Sequence, residues 1–206
     1  MMNKKHLPIN DNIPYGATEL SIDDLEGLIP NYVTTREDLN EFEKANITKA
    51  VLWLQRKGFK PQQLLTLEVF FELHLKMFDK TWKWAGRLRR STVNIGVTPI
   101  EQLQMQIKNV LDNTKYWIDH KSFSIDEICV RFHHAIVWIH PFPNGNGRFS
   151  RIVCDELRKS LGVKYFTWGQ SENNLVTSGE SRTKYIIALR AADKKDFKSL
   201  IDFAKS

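Results

Sequence analysis

Ile139-His140-Pro141-Phe142-Pro143-Asn144-Gly145-Asn146-Gly147-Arg148-Phe149-Ser150-Arg151 joins two segments that both carry the apolar periodicity of helices. Pro141 biases His140 away from the α region, so the preceding helix is expected to stop there. Asn144-Gly145-Asn146-Gly147 is a turn-forming run that can take positive φ and aim successive N–H groups at one point. Asn146 is a candidate N-cap for the next helix. Arg148 and Arg151 then fall three residues apart in that helix's first turn, where the macrodipole disfavours cations. An anion held at the helix N-terminus resolves the conflict, because backbone donors and both guanidinium groups can share it. The stretch reads as a phosphate site with His140 at its lip as a base.

Upstream of the joint, Ser124-Ile125-Asp126-Glu127 is a capping box. It opens a helix carrying Ile128, Val130, Phe132, Ile136, Val137 and Ile139. That helix is apolar nearly all round, as a central buried helix should be. His133 and His134 on it read as structural. Downstream, residues 147–161 continue as a helix closed by Gly162. A loop anchored by Tyr165, Phe166 and Trp168 follows, then helices near 179–192 and 195–204.

Toward the N-terminus, Thr34 or Thr35 starts a long helix, with Thr34 and Glu37 fitting a capping box and Arg56-Lys57-Gly58 as its stop. Asn46 lies near its apolar face and, if buried, needs a partner. Residues 62–78 form an amphipathic helix in which His74 is read as a half-buried structural residue. Thr98-Pro99-Ile100-Glu101 starts another helix that runs to about His120. Between these two, residues 80–96 lose helix formers, and Val93-Asn94-Ile95 alternates, so a short hairpin is expected. Its mixture of Arg and Trp also fits a nucleic-acid stacking surface, but core packing of Trp82 and Trp84 is the stronger reading. The expected architecture is an all-α domain with a small β-hairpin, made of an N-terminal arm (1–33) and one helical domain (34–206).

At 206 residues, 42% hydrophobic and 26% charged, the chain is long enough for one sizeable core. A formal net charge of +6 favours anionic partners without requiring nucleic acid. Cys129 and Cys154 both fall in apolar helical patterns, so buried thiols are expected rather than a disulfide. No apolar run reaches the length of a membrane span, and Met1-Met2-Asn3-Lys4-Lys5-His6 leads into no apolar core. A cytoplasmic protein is expected, unless a dedicated secretion system exports it.

The stretch His140 to Arg151 resembles the signature of Fic (Fic/Doc) domains, His-Pro-Phe-x-(Asp/Glu)-Gly-Asn-Gly-Arg with a further Arg three positions on. Trp84-Ala85-Gly86-Arg87 resembles the start of the Fic flap, and Ala191-Ala192-Asp193 is similar to the step before the family's last helix. Gly27-Leu28-Ile29-Pro30 and Leu39-Asn40-Glu41 resemble the subgroup called mobile mystery protein B, so the likeness spans essentially the whole chain.

The resemblance implies a helical domain that transfers AMP from ATP to a Ser, Thr or Tyr hydroxyl of a protein. His140 would be the catalytic base. Gly145, Asn146 and Gly147 would hold phosphates through backbone N–H groups, with Arg148 on the outer phosphates and Arg151 in support. Phe142 would anchor the loop, and a hairpin near 87–95 would receive the target by strand addition. A regulatory partner and a homo-oligomer are compatible with the resemblance. A membrane role is not expected, and nucleic acid is the least favoured partner.

Asn144 departs from the family's Asp or Glu, the residue that holds Mg2+ against the phosphates. One neutral carbonyl oxygen is a weaker ligand for a hard cation, so Mg2+ is expected to arrive with the nucleotide and be held less firmly. The alternative is a nucleotide-binding or toxin–antitoxin-type interaction protein with weak or different transfer, of phosphate or phosphocholine. The family's inhibitory motif, (Ser/Thr)-x-x-x-Glu-(Gly/Asn), has no intact copy here. Ser21 to Glu26-Gly27 is one residue too long, and Thr34 to Asp38 ends on the wrong acid. Of Glu41 and Glu43, Glu43 is the preferred inhibitory candidate because it precedes helix residues that should face the core.

Overall fold

The computed structural model describes residues 14, 16, 18, 20–92, 98–169, 175 and 179–206. In chain order its helices are α1 (Ile22–Glu26), α2 (Arg36–Lys57), α3 (Pro61–Leu64), α4 (Leu67–Phe78), α5 (Leu103–Asp119), α6 (Ile125–Ile139), α7 (Asn146–Ser160), α8 (Glu180–Asp193) and α9 (Lys198–Lys205). The apolar helix α6 sits centrally, packed against α5, α7 and α9, while α2 lies on α4 and touches α7. Phe142 and Phe149, on either side of the α6–α7 joint, both meet Phe70 of α4, at ring separations of 5.6 and 4.6 Å. The joint is thus pinned into the core from both ends.

Local chemistry sets the boundaries. Thr35, the second of the two expected starts, caps α2 in a reciprocal box with Asp38 in place of the expected box of Thr34 with Glu37, and Gly58 ends the helix in the left-handed region. The helix expected over 62–78 is broken into α3 and α4, because the Thr66 hydroxyl accepts the N–H of Val69 and restarts the helix. Asn46 is buried and spans the end of α4, its amide nitrogen donating to Lys76 O (3.2 Å) and its oxygen accepting from Lys80 N (3.1 Å). Cys129 and Cys154 are buried free thiols.

The expected β-hairpin is not found among the described residues. Among the described residues there is no strand, and the only pairing of that kind is an isolated antiparallel bridge between Leu28 and Trp82. Val93 to Val97 lie outside the described residues; over 87–92 the chain is held by one side chain instead of a ladder. Arg89 is buried and donates through Nε to His140 O (2.7 Å), NH1 to Ser91 O (2.9 Å) and NH2 to Thr98 O (2.6 Å), while its N–H donates to Pro141 O (2.9 Å). Carbonyls that a sheet would have paired are taken by a guanidinium fork. Nor is there a platform of free tryptophans. Trp82 is buried and stacked on Trp84, and both indole N–H groups are used, on Glu43 and on the Asp24 carbonyl. The fold among the described residues is therefore essentially all-α.

Candidate active site

His140 follows the last residue of α6 and has φ 51 and ψ 60, in the left-handed region rather than the extended one that Pro141 favours. A non-glycine residue there is strained by about 1–3 kcal/mol, so its surroundings must hold it. They do: its N–H donates to Ile136 O, and Arg89 takes its carbonyl. The ring is fixed as well. Nδ1 lies 3.2 Å from the Val137 carbonyl, which can only accept, so Nδ1 carries the proton and Nε2 presents a lone pair. The hydroxyl of Thr18 lies 2.7 Å from Nε2 and donates to it. Burial, with Arg89 adding to it, lowers the imidazole pKa to about 4, so His140 is neutral near pH 7.

Beyond His140 the loop closes on itself. Asn146 is the first residue of α7, and Gly145 is the N-cap, in place of the expected Asn146. The Asn146 side chain spans the turn instead, accepting from Phe142 N (3.0 Å) and donating to Phe142 O (2.8 Å). Gly145 has φ 80, and a Cβ there would meet the ring of Phe78 at 2.4 Å, so only glycine fits. At Gly147 a Cβ would meet nothing nearer than Arg151 NH1 at 3.6 Å. The absence of a side chain at that position leaves open space over the start of α7.

That space belongs to a cavity of about 350 Å3. His140, Asn144, Gly145, Asn146, Gly147, Arg148 and Arg151 all line it, while Phe142 is buried in the core behind the loop. The cavity is strongly cationic, for Arg36, Arg182 and Arg190 join Arg148 and Arg151 on its walls, with Asp193 as the one carboxylate among the described lining residues. Asp193 is itself paired with His134 at 2.8 Å. Arg36 has a buried Nε and NH2 with no hydrogen-bond partner among the described residues. Burial lowers its pKa, opposed by the field of Glu43.

Glu43 is 1% exposed and makes two contacts. Oε2 accepts from Arg148 NH1 at 2.5 Å, and Oε1 accepts from Trp82 Nε1 at 2.7 Å. The acid preferred from the sequence is thus on the first Arg of the loop.

Two positioning residues escaped the sequence reading. His74 is fully buried rather than half-buried; its Nδ1 accepts from Gly86 N (3.0 Å), so Nε2 carries the proton and donates to Asn144 O (3.2 Å). Its ring lies on Phe142 at 3.5 Å, and burial lowers its pKa to about 3. Arg89, to which the sequence reading gave no role of its own, is the buried clamp on His140. Arg36 was legible in principle, since it is a cation in the first turn of α2, the same conflict that marks Arg148 and Arg151. Nothing in the sequence marked Thr18.

The residues present do not build a Mg2+ site. Asn144 Oδ1 is turned onto Gly145 N at 2.5 Å, and its backbone carbonyl is taken by His74. Among the described residues, no group of three His, Cys, Asp or Glu could hold a metal ion. No helix among them is long and apolar enough to cross a membrane.

The model of the Fic/DOC family matches residues 64–157, from α3 to the end of the central joint and into α7. Protein adenylyltransferase fic-1 of Caenorhabditis elegans is 27% identical over 151 residues, covering 70% of this chain and 27% of that protein. The probable protein adenylyltransferase aq_aa38 of Aquifex aeolicus is 26% identical over 181 residues, covering 85% of this chain and 51% of that one. The chain thus spans between about a quarter and a half of the length of these curated relatives. In fold it is similar to the BepC protein of Bartonella tribocorum, a VirB-translocated effector solved with bound AMPPNP, with a TM-score of 0.64 at 18% identity over 97% of each chain. The family match, the relatives and a cationic cavity built on the loop from His140 to Arg151 lead to one conclusion: residues 64–157, which contain that loop, carry the features of the Fic/DOC family.

Proposed function

We propose that this chain is a protein adenylyltransferase, which moves AMP from ATP onto a Ser, Thr or Tyr hydroxyl. The observation that carries the reading is the pair Thr18 Oγ1 and His140 Nε2 at 2.7 Å, an alcohol on the lone pair of a neutral imidazole at the edge of a cationic cavity. A general base must stand within hydrogen-bond reach of the proton it takes. Two relatives named as adenylyltransferases, and a similar fold that binds AMPPNP, support the same reading.

In the reaction, His140 Nε2 takes the hydroxyl proton as the oxygen attacks the α-phosphorus, and pyrophosphate leaves. General-base catalysis of this kind is typically worth about 10²–10⁴-fold. The N–H groups at the start of α7, with Arg148 and Arg151, receive the charge on the phosphates. Arg36 adds to that wall a guanidinium whose Nε and NH2 have no partner among the described residues. Glu43 holds Arg148 in the resting chain, so the ion pair must open before Arg148 can take a phosphate, and Glu43 acts as an inhibitory acid. Incubation with ATP labelled at the α-phosphate is expected to put label on protein, and His140→Ala to abolish it. Label transfer that persists in His140→Ala removes His140 as the base.

A second reading is favoured by Asn144, whose side-chain oxygen is turned back onto its own loop. The chain would then bind nucleotide with weak turnover. Mg2+-dependent transfer that appears in Asn144→Asp and is absent from the unsubstituted chain selects this reading over the first.

A further inference from the structure

We propose that Thr18 is an acceptor for the chain's own transfer reaction, a self-modification site that receives a nucleotidyl group in cis. The inference rests on the transfer activity proposed above and adds to it the identity of one hydroxyl. Three observations converge on that residue.

The first is reach. The Thr18 hydroxyl stands where an attacking alcohol has to stand, 2.7 Å from the one imidazole nitrogen that has a free lone pair. The second is seating. The described residues on either side of Thr18 are packed on the domain. Pro14 and Leu20, on either side, are buried, and Gly16 (φ 68) lies so close to Ile186 of α8 that a Cβ would come within 2.8 Å of its Cδ1. The third is a shared chamber. Pro14, Gly16 and Thr18 line the same cavity as His140, Gly145, Gly147 and Arg148. A nucleoside triphosphate bound by the start of α7 would therefore meet this alcohol before any alcohol from outside. Holding a nucleophile against its base in one molecule is worth several kcal/mol over a bimolecular encounter.

The step balances without a further reactant. The Thr18 O–H bond breaks and its proton goes to His140 Nε2. An oxygen lone pair forms the new bond to the α-phosphorus. The bond from the α-phosphorus to its bridging oxygen breaks, and its electron pair leaves on pyrophosphate, which can later take the proton from His140. The product is a phosphodiester of Thr18.

The test uses the full chain, α-labelled ATP and Mg2+, with peptide mapping by mass spectrometry, in the unsubstituted chain and in a Glu43→Ala background. Label is expected on Thr18, kept in Thr18→Ser and lost in Thr18→Val. The fraction labelled per unit time should not change on dilution, and a His140→Ala chain mixed with active chain should stay unlabelled. Transfer to lysate proteins by Thr18→Val is read in parallel. If lysate proteins are labelled but Thr18 of the active chain is not, or if the label maps elsewhere on the chain, self-modification at Thr18 is overturned while the transfer reading stands. Labelling of the His140→Ala chain in trans overturns the cis step. No label on any protein with any chain overturns both.

Discussion

Glu43 stands between Trp82 and Arg148, one carboxylate oxygen on each, 2.7 Å from the indole nitrogen and 2.5 Å from the guanidinium. The acid is therefore fixed from one side while it restrains from the other.

Glu43→Ala should raise protein labelling from α-labelled ATP, because Arg148 is released to the phosphates. The same change should lower stability by about 1–3 kcal/mol, since a buried indole N–H loses its acceptor. Labelling assays and urea unfolding read the two effects separately. Unchanged labelling in a variant that still binds nucleotide would falsify the inhibitory role of Glu43.

Gly145→Ala and Gly147→Ala should part company. At Gly145 a methyl group would run into Phe78 at 2.4 Å in a left-handed backbone, so the loop itself must shift and the melting temperature should fall. At Gly147 the nearest described neighbour is 3.6 Å away, so stability should hold while nucleotide binding weakens. Calorimetry with and without ATP analogue distinguishes them, and equal loss of stability in both would show that Gly147 is needed for folding, not for a ligand.

Arg36→Met should weaken binding of a nucleoside triphosphate more than that of a monophosphate. Two of its guanidinium nitrogens are buried with no partner among the described residues, which leaves donors for an outer phosphate. Titration with the two nucleotides is the measurement. Equal affinities for the variant and the unsubstituted chain would remove Arg36 from the site.

Stability should fall on acidification below about pH 6.5, the ordinary histidine value. His74, His133 and His140 are buried, and desolvation holds their pKa values down, to about 3 for His74, about 4 for His140 and well below the ordinary value for His133. Below about pH 6.5 the unfolded chain binds protons that the folded chain does not, so stability is lost as pH falls, by up to about 1.4 kcal/mol per pH unit for each histidine. Asp155 works in the opposite sense. Burial raises its pKa to about 6, so it favours the folded chain as pH drops from there. Three histidines against one aspartate leave a net slope of up to about 3 kcal/mol per pH unit between pH 6 and 4. Urea unfolding at several pH values tests it, and stability flat from pH 7 to 4 contradicts the burial of these imidazoles in neutral form.

The helices and the loop from His140 to Arg151 were legible because their signals are local: N-capping hydroxyls at Thr35 and Ser124, a turn-forming run, and two cations near the N-terminus of α7. The expected hairpin was misread over its described residues for a physical reason: whether a strand forms depends on where backbone carbonyls find donors, and Arg89 supplies those of Ser91 and Thr98 from its side chain. Contacts across long chain separations left no periodic trace. Thr18 is 122 residues from His140, and His74 is 70 residues from Asn144. The preference for Glu43 over Glu41 came from a face of α2, and the structure puts that face on Trp82 and Arg148.

The guanidinium of Arg89 grips the carbonyls of Ser91 and Thr98 together, and that of His140 as well. One planar side chain thus acts as a rivet through three separate points of the backbone. A load applied at Ser91 or at Thr98 is passed straight to the carbonyl of the histidine, so whatever settles on this side of the molecule has a short mechanical line to the base.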